Sequence, residues 1–209
     1  MGRFLLLFII CFYTNIAFSR YDKSYPNALN TCKVTKSAMN DYEPSKFQIT
    51  NNLLRPAGGQ SIYCGKKIVI MGKVLDENCV PVSDAKVYLW QVGCDGKYPF
   101  TPLRQRIDKK MLNLASKSSF TGSGTATTDN KGEFYFITIY PQSADKEAPH
   151  ANVRVEHMTL GMLQTKLYLS SANELSGDEF INPNLNNLDC EVDIYNFDIV
   201  LPGETLRRY

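Results

Sequence analysis

Strong charge of either sign is missing from this sequence. Lysine and arginine number 23 against 21 aspartates and glutamates, a formal net charge of +2 over 209 residues. No Lys/Arg run is longer than a pair, so the electrostatic footprint of a nucleic-acid surface is absent and no such partner is expected. Low-complexity runs and repeats of fixed period are lacking too, which leaves no basis for a linker-rich chain or a solenoid. No CxxC pair and no His/Cys spacing of the zinc type occurs. No apolar run reaches the roughly 20 residues that a membrane-crossing helix needs. What remains is ordinary globular composition, 44% hydrophobic, enough for one core without a second domain.

The first residues bear on the compartment. Met1, Gly2 and Arg3 form a short basic start, residues 4–13 (FLLLFIICFY) are continuously apolar, and Ala17, Phe18 and Ser19 are spaced for cleavage before Arg20. Residues 1–19 therefore read as a signal peptide, and the protein as exported to a periplasm or secreted; an uncleaved N-terminal anchor is the alternative. With the signal removed no membrane association is expected. Cys11 follows the bulky Ile10 and is not read as a lipidation site. Five cysteines then remain, Cys32, Cys64, Cys79, Cys94 and Cys190. An oxidising compartment favours disulfides among them, and the odd count leaves at least one thiol unpaired or bonded to another chain.

Residues 20–60 read as an extended arm, and 61–209 as the folded unit. Within the latter, residues 68–75 form an apolar, β-branched strand in which Gly72 marks a bulge or a close backbone approach. In 85–91 Lys86, Tyr88 and Trp90 alternate with Ala85, Val87 and Leu89. The turn Gly93-Cys94-Asp95-Gly96 presents Tyr98, and residues 99–119 form a long loop with one or two helical turns. Such a loop is usually a lid, a binding loop or a partner contact. Residues 120–128 are rich in Gly and Thr, and 129–132 are a hairpin-type turn. Strands follow at 133–139, 151–155, 165–169 and 195–201, the last with Tyr195, Phe197, Ile199 and Leu201 on one face. A short helix is expected near 173–180. Short strands at this spacing predict an all-β antiparallel β-sandwich or barrel.

The segment GKVLDENCVPVSDAKVYLWQVGCDGKY resembles the entry motif of intradiol ring-cleavage dioxygenases, the catechol and protocatechuate enzymes. FTGSGTATTDNKGEFYFITIYP is similar to the family's next segment, and TKLYL and YNFDIVLPG to its last two strands. The resemblance runs from about Cys32 to Gly203. It implies a β-sandwich of the intradiol dioxygenase or prealbumin-like type with long loops. It also implies a mononuclear Fe(III) held by two tyrosinates and two histidines, and a small aromatic catechol as substrate. Phenolate and imidazole donors suit ferric iron.

Carried over by position, Tyr98 and His150 stand where the family has metal ligands. Asn152 replaces the second histidine of the H-x-H pair. No tyrosine follows Pro141 before His150, and Tyr140 is the nearest. Glu147 stands in place of an arginine, and Lys166 in place of a glutamine that faces the site. Two of four ligands are changed. Each retained residue has a plainer reading. His150 would be a strand-start histidine bonded to backbone, Tyr98 a capping tyrosine with its hydroxyl tied to backbone, Lys166 a solvated strand residue and His157 a surface residue. Two functions are consistent with this pattern: a dioxygenase of weak or altered activity, its shell completed by Tyr140, Asn152 or Asp145, or a non-catalytic exported binding or surface module that kept the fold and lost the metal.

Overall fold

The computed structural model describes residues 31–143, 147–169, 184–186 and 192–205. The expected signal peptide, the expected helix near 173–180, and the residues Asp145 and Cys190 lie outside the described residues. The strands are β1 (Lys67–Leu75), β2 (Lys86–Trp90), β3 (Ser123–Thr127), β4 (Glu133–Ile139), β5 (His150–His157), β6 (Gly161–Tyr168), β7 (Asn184–Asn186) and β8 (Asp193–Val200). They form two four-stranded sheets, ordered β4-β1-β8-β7 and β3-β2-β5-β6. All pairings are antiparallel except β1 with β8, which run parallel.

Alternation drives the layering. Ile68, Ile70 and Val74 of β1, Phe134 and Phe136 of β4, and Tyr195, Phe197 and Ile199 of β8 are buried on one sheet. Val87 and Leu89 of β2, Ala151, Val153 and Val155 of β5, and Leu163 and Leu167 of β6 face them from the other. A period of two puts each set on one face, so the two apolar faces close on each other. Gly72 lies on the inward phase of β1, where a Cβ would meet the Phe197 carbonyl oxygen at 2.5 Å and the Phe134 ring at 2.6 Å. Only a residue without a side chain lets that carbonyl and that ring approach so closely.

The arm is part of this architecture. Leu53 and Leu54 are buried in the core. Thr50 and Leu53 accept from Thr125 and Thr121 beside β3, while Asn51 and Leu53 bond both polar groups of Ile137 on β4. One short stretch of arm thus closes the open side between two sheet edges. Disulfides Cys32–Cys79 and Cys64–Cys94 tie the arm and the segment after it to the turns that follow β1 and β2.

The outer face of β2, β5 and β6 carries a second, smaller apolar cluster. Trp90, Val92 and Tyr98 are buried there under Tyr42, Phe47, Phe100, Met111 and Leu112. The arm is held over it by Arg154, which bonds Glu43 and lies over the Phe47 and Tyr88 rings, 5.4 and 4.4 Å from their centroids. Thr165 adds a bond to the Lys36 carbonyl at 2.9 Å.

Candidate functional site

The site lies between this outer sheet face and the arm, not in the sandwich core. The turn after β2 delivers Tyr98. Gly96, at φ 71°, adopts the left-handed conformation that the reversal needs, and Gly93 N–H donates to the Lys97 carbonyl at 2.9 Å. Tyr98 then pairs with the long loop, its N–H on Met111 O at 2.8 Å and its carbonyl accepting from Asn113 N–H at 2.9 Å. Its ring stacks on Tyr42, with centroids 4.9 Å apart and planes 13° from parallel. The hydroxyl accepts from Asn40 Nδ2 at 3.1 Å. It is tied to an arm side chain rather than to the backbone that the plainer reading expected.

On β5 the strand period places His150 and Asn152 on the same face, as an H-x-H pair would be. His150 is buried and its Nδ1 meets the Ala148 carbonyl at 2.9 Å, the strand-start arrangement expected from sequence. Its Nε2 faces Glu147 Oε2 at 3.5 Å. Asn152 is 1% exposed, pairs with Trp90 and Lys166 on the flanking strands, and donates to the Trp90 carbonyl at 3.3 Å. Its Oδ1 has no partner among the described residues.

Lys166 corrects the sequence expectation. It is not a solvated strand residue: its side chain is 14% exposed, and its ammonium lies 2.6 Å from Glu147 Oε2. The arm covers this sheet face and turns an outward-facing position into a site wall. Two replacements that looked independent in the sequence are therefore partners in space. Tyr140 is not part of the site; it packs on Tyr195 and reaches the Leu169 carbonyl at 3.5 Å. His157 sits at the far end of β5, where its ring meets the Thr159 hydroxyl at 3.2 Å.

Met39, Asn40, Asp41, Tyr42, Tyr98, Met111, Glu147, His150 and Lys166 line a cavity of about 180 Å³ that is open to solvent. Tyr98 and His150, the two candidate ligands, both border it. Asn40 and Tyr42 carry no signal in the sequence that would place them here. They come from the aperiodic arm, 58 and 56 residues before Tyr98, and only the fold brings them there. Burial pushes the Tyr98 phenol above its ordinary value, and Glu147 and Tyr42 add to this against the hydrogen bonds from Asn40 and Asn152. Burial also pushes the His150 imidazole below its ordinary value; Lys166 adds to this, while the Ala148 carbonyl and Glu147 oppose it. Both side chains therefore rest neutral near pH 7.

These donors do not fit the ferric ion that the family resemblance implies. Four strong donors are needed; of the family's four ligand positions only one phenol, Tyr98, and one imidazole, His150, remain among the described residues, and Asn152, a neutral amide and a weak ligand for ferric iron, stands for the second histidine. The carboxylate that could compensate, Glu147, is engaged by the Lys166 ammonium, whose positive charge opposes a trivalent cation in the same cavity. Among the described residues no group of three or more His, Cys, Asp or Glu side chains is placed to hold a metal.

Comparison with known proteins bears on ancestry. Residues 40–158 match the family model described as Dioxygenase. A Rickettsia felis protein named "Putative dioxygenase" is 50% identical over 210 residues, covering all of both chains. The protocatechuate 3,4-dioxygenase beta chain of Burkholderia cepacia is 32% identical over 101 residues, 48% of this chain and 38% of that one. Among solved structures, the dioxygenase domain of a carbohydrate-binding fusion protein from Streptomyces sp. SirexAA-E superposes with a TM-score of 0.62 at 19% identity, covering 82% of this chain and all of that one. The 3-chlorocatechol 1,2-dioxygenase of Rhodococcus opacus 1CP gives 0.56 at 13%, covering 83% and 73%. Those two likenesses speak for the fold, and the sequence matches for descent: the chain belongs to the intradiol ring-cleavage dioxygenase family.

Proposed function

We propose that this protein is an exported member of the family whose site retains ferric iron weakly or not at all and works as a binding pocket for a small aromatic molecule. The observation that carries the reading is the Glu147–Lys166 ion pair inside the arm-covered cavity. A fixed ammonium stands where the family's site would present a neutral glutamine, and it engages Glu147, the carboxylate that faces His150. Export is supported by the basic start, apolar run and small-residue cleavage pattern of residues 1–19.

The test is elemental analysis of the full-length protein purified after exposure to ferric iron, together with its visible spectrum. Iron well below one per chain and no tyrosinate-to-iron absorption are expected. A coloured protein with one iron per chain would overturn the reading. N-terminal sequencing of the same material checks for processing after Ser19.

A second reading, an iron-dependent catechol dioxygenase of altered shell, is favoured by one observation: Tyr98 and His150 border the same cavity. Oxygen uptake with catechol that disappears in both Tyr98→Phe and His150→Ala would establish it.

A further inference from the structure

We propose that the cavity takes a small organic carboxylate, recognised by the Lys166 ammonium. This deepens the iron-free reading of the site and rests on it.

An ammonium has three N–H donors. Lys166 places one on Glu147, and no other partner for it is present among the described residues. Its side chain is 14% exposed and lines the cavity, so the remaining donors are largely withdrawn from bulk water. Donors in that position are costly unless an oxygen acceptor meets them, and a carboxylate meets them with a charge-assisted bond.

His150 adds no second site for the anion: its Nδ1 lies against the Ala148 carbonyl and its Nε2 is turned toward Glu147, so recognition rests on Lys166. The stacked Tyr42 and Tyr98 rings, with Met39 and Met111, give the wall an apolar side; elsewhere it is polar, and its other carboxylate, Asp41, is engaged by Arg104. A volume of about 180 Å³ is below the roughly 300–1,000 Å³ of pockets for drug-sized ligands, so the fit is to a single ring or a short chain. Glu147 works against the anion: its charge partly neutralises Lys166 and repels the incoming carboxylate. Its removal therefore strengthens binding, a sign that a merely structural ion pair would not produce.

The experiment titrates benzoate, and benzamide as its uncharged counterpart, into the full-length protein by calorimetry. Fluorescence of Trp90, the only tryptophan, gives a second readout beside the site. Benzoate is expected to bind at least about tenfold more tightly than benzamide, equivalent to roughly 1.4 kcal/mol. Lys166→Gln should erase that preference, Lys166→Arg should keep it, and Glu147→Gln should tighten benzoate binding, with circular dichroism confirming that each variant is folded. Equal affinity for the two probes, an unchanged preference in Lys166→Gln, or no benzoate binding at millimolar concentration overturns the proposal. An iron titration run alongside separates the two readings. Uptake of one iron per chain sinks the iron-free site itself, whereas indifference to benzoate without iron uptake sinks the carboxylate proposal alone.

Discussion

The Lys166 ammonium and the Glu147 carboxylate meet at 2.6 Å, across the mouth of the strand pair that carries His150. The carboxylate is half open to solvent and the ammonium nearly closed off, so their attraction is partly screened and its worth modest. A double-mutant cycle with Glu147→Gln and Lys166→Gln, followed by urea unfolding, should give a coupling of about 1 kcal/mol. Zero coupling would mean that the two charges are neighbours without consequence.

His150 makes stability depend on pH. Its folded value is depressed from the ordinary 6.5, so below that point the unfolded chain takes up a proton that the folded chain refuses. Stability from this group is therefore fully present above pH 6.5 and falls as pH drops toward the folded value, with a slope of up to about 1.4 kcal/mol per pH unit. Urea midpoints measured between pH 7 and pH 5 should show the fall. His150→Gln should flatten it, and a slope that persists in that variant would assign it elsewhere.

Asp76 anchors the end of the described chain. Its carboxylate accepts from Asn78 N–H and Val80 N–H at 2.9 Å, and from the N–H and hydroxyl of Thr205 at 2.9 and 2.7 Å. Burial alone would raise its pKa, but these bonds outweigh it and hold the value below 3.8. Asp76→Ala should cost about 2–3 kcal/mol, since it strands several donors at once. The contribution is complete above pH 3.8 and lost as pH falls through the folded value, so the difference between wild type and variant should shrink in strong acid.

Gly72→Ala should destabilise by about 1–3 kcal/mol, because the added methyl meets a carbonyl and a ring at contact distances that neither can yield cheaply. Thermal unfolding measures it. A neutral result would mean that β1 shifts against β8 more easily than the packing suggests.

Much of this was legible in the chain itself, for identifiable reasons. Strands β1 and β4 fall where runs of apolar, β-branched and aromatic residues placed them, and β2 and β8 where period-two alternation did. β3 is built from Ser, Gly, Ala and Thr, which give no such alternation, and its strand form comes from pairing with β2. β5 and β6 run further than their apolar cores indicated, since the hairpin between them continues to His157 and Gly161 through polar residues. In the site, Tyr98 and His150 could be placed by the turn and the strand phase that hold them. Lys166 could not: whether an outward-facing lysine meets water depends on what lies over it, and the arm that covers it has no periodicity to announce its path. Asn40 and Tyr42 escaped notice for the same reason.

The stretch from Thr50 to Leu53 bonds to strands of both sheets, much as one seam joins two cloths. Fragments trimmed to begin after it would lose Leu53 from the interior and bare the backbone of β3 and β4 together. Two raw margins on one molecule invite other molecules to supply the missing thread. Shortened versions of this protein should accordingly be recovered as clumps, and preparations meant for ligand work need the arm intact.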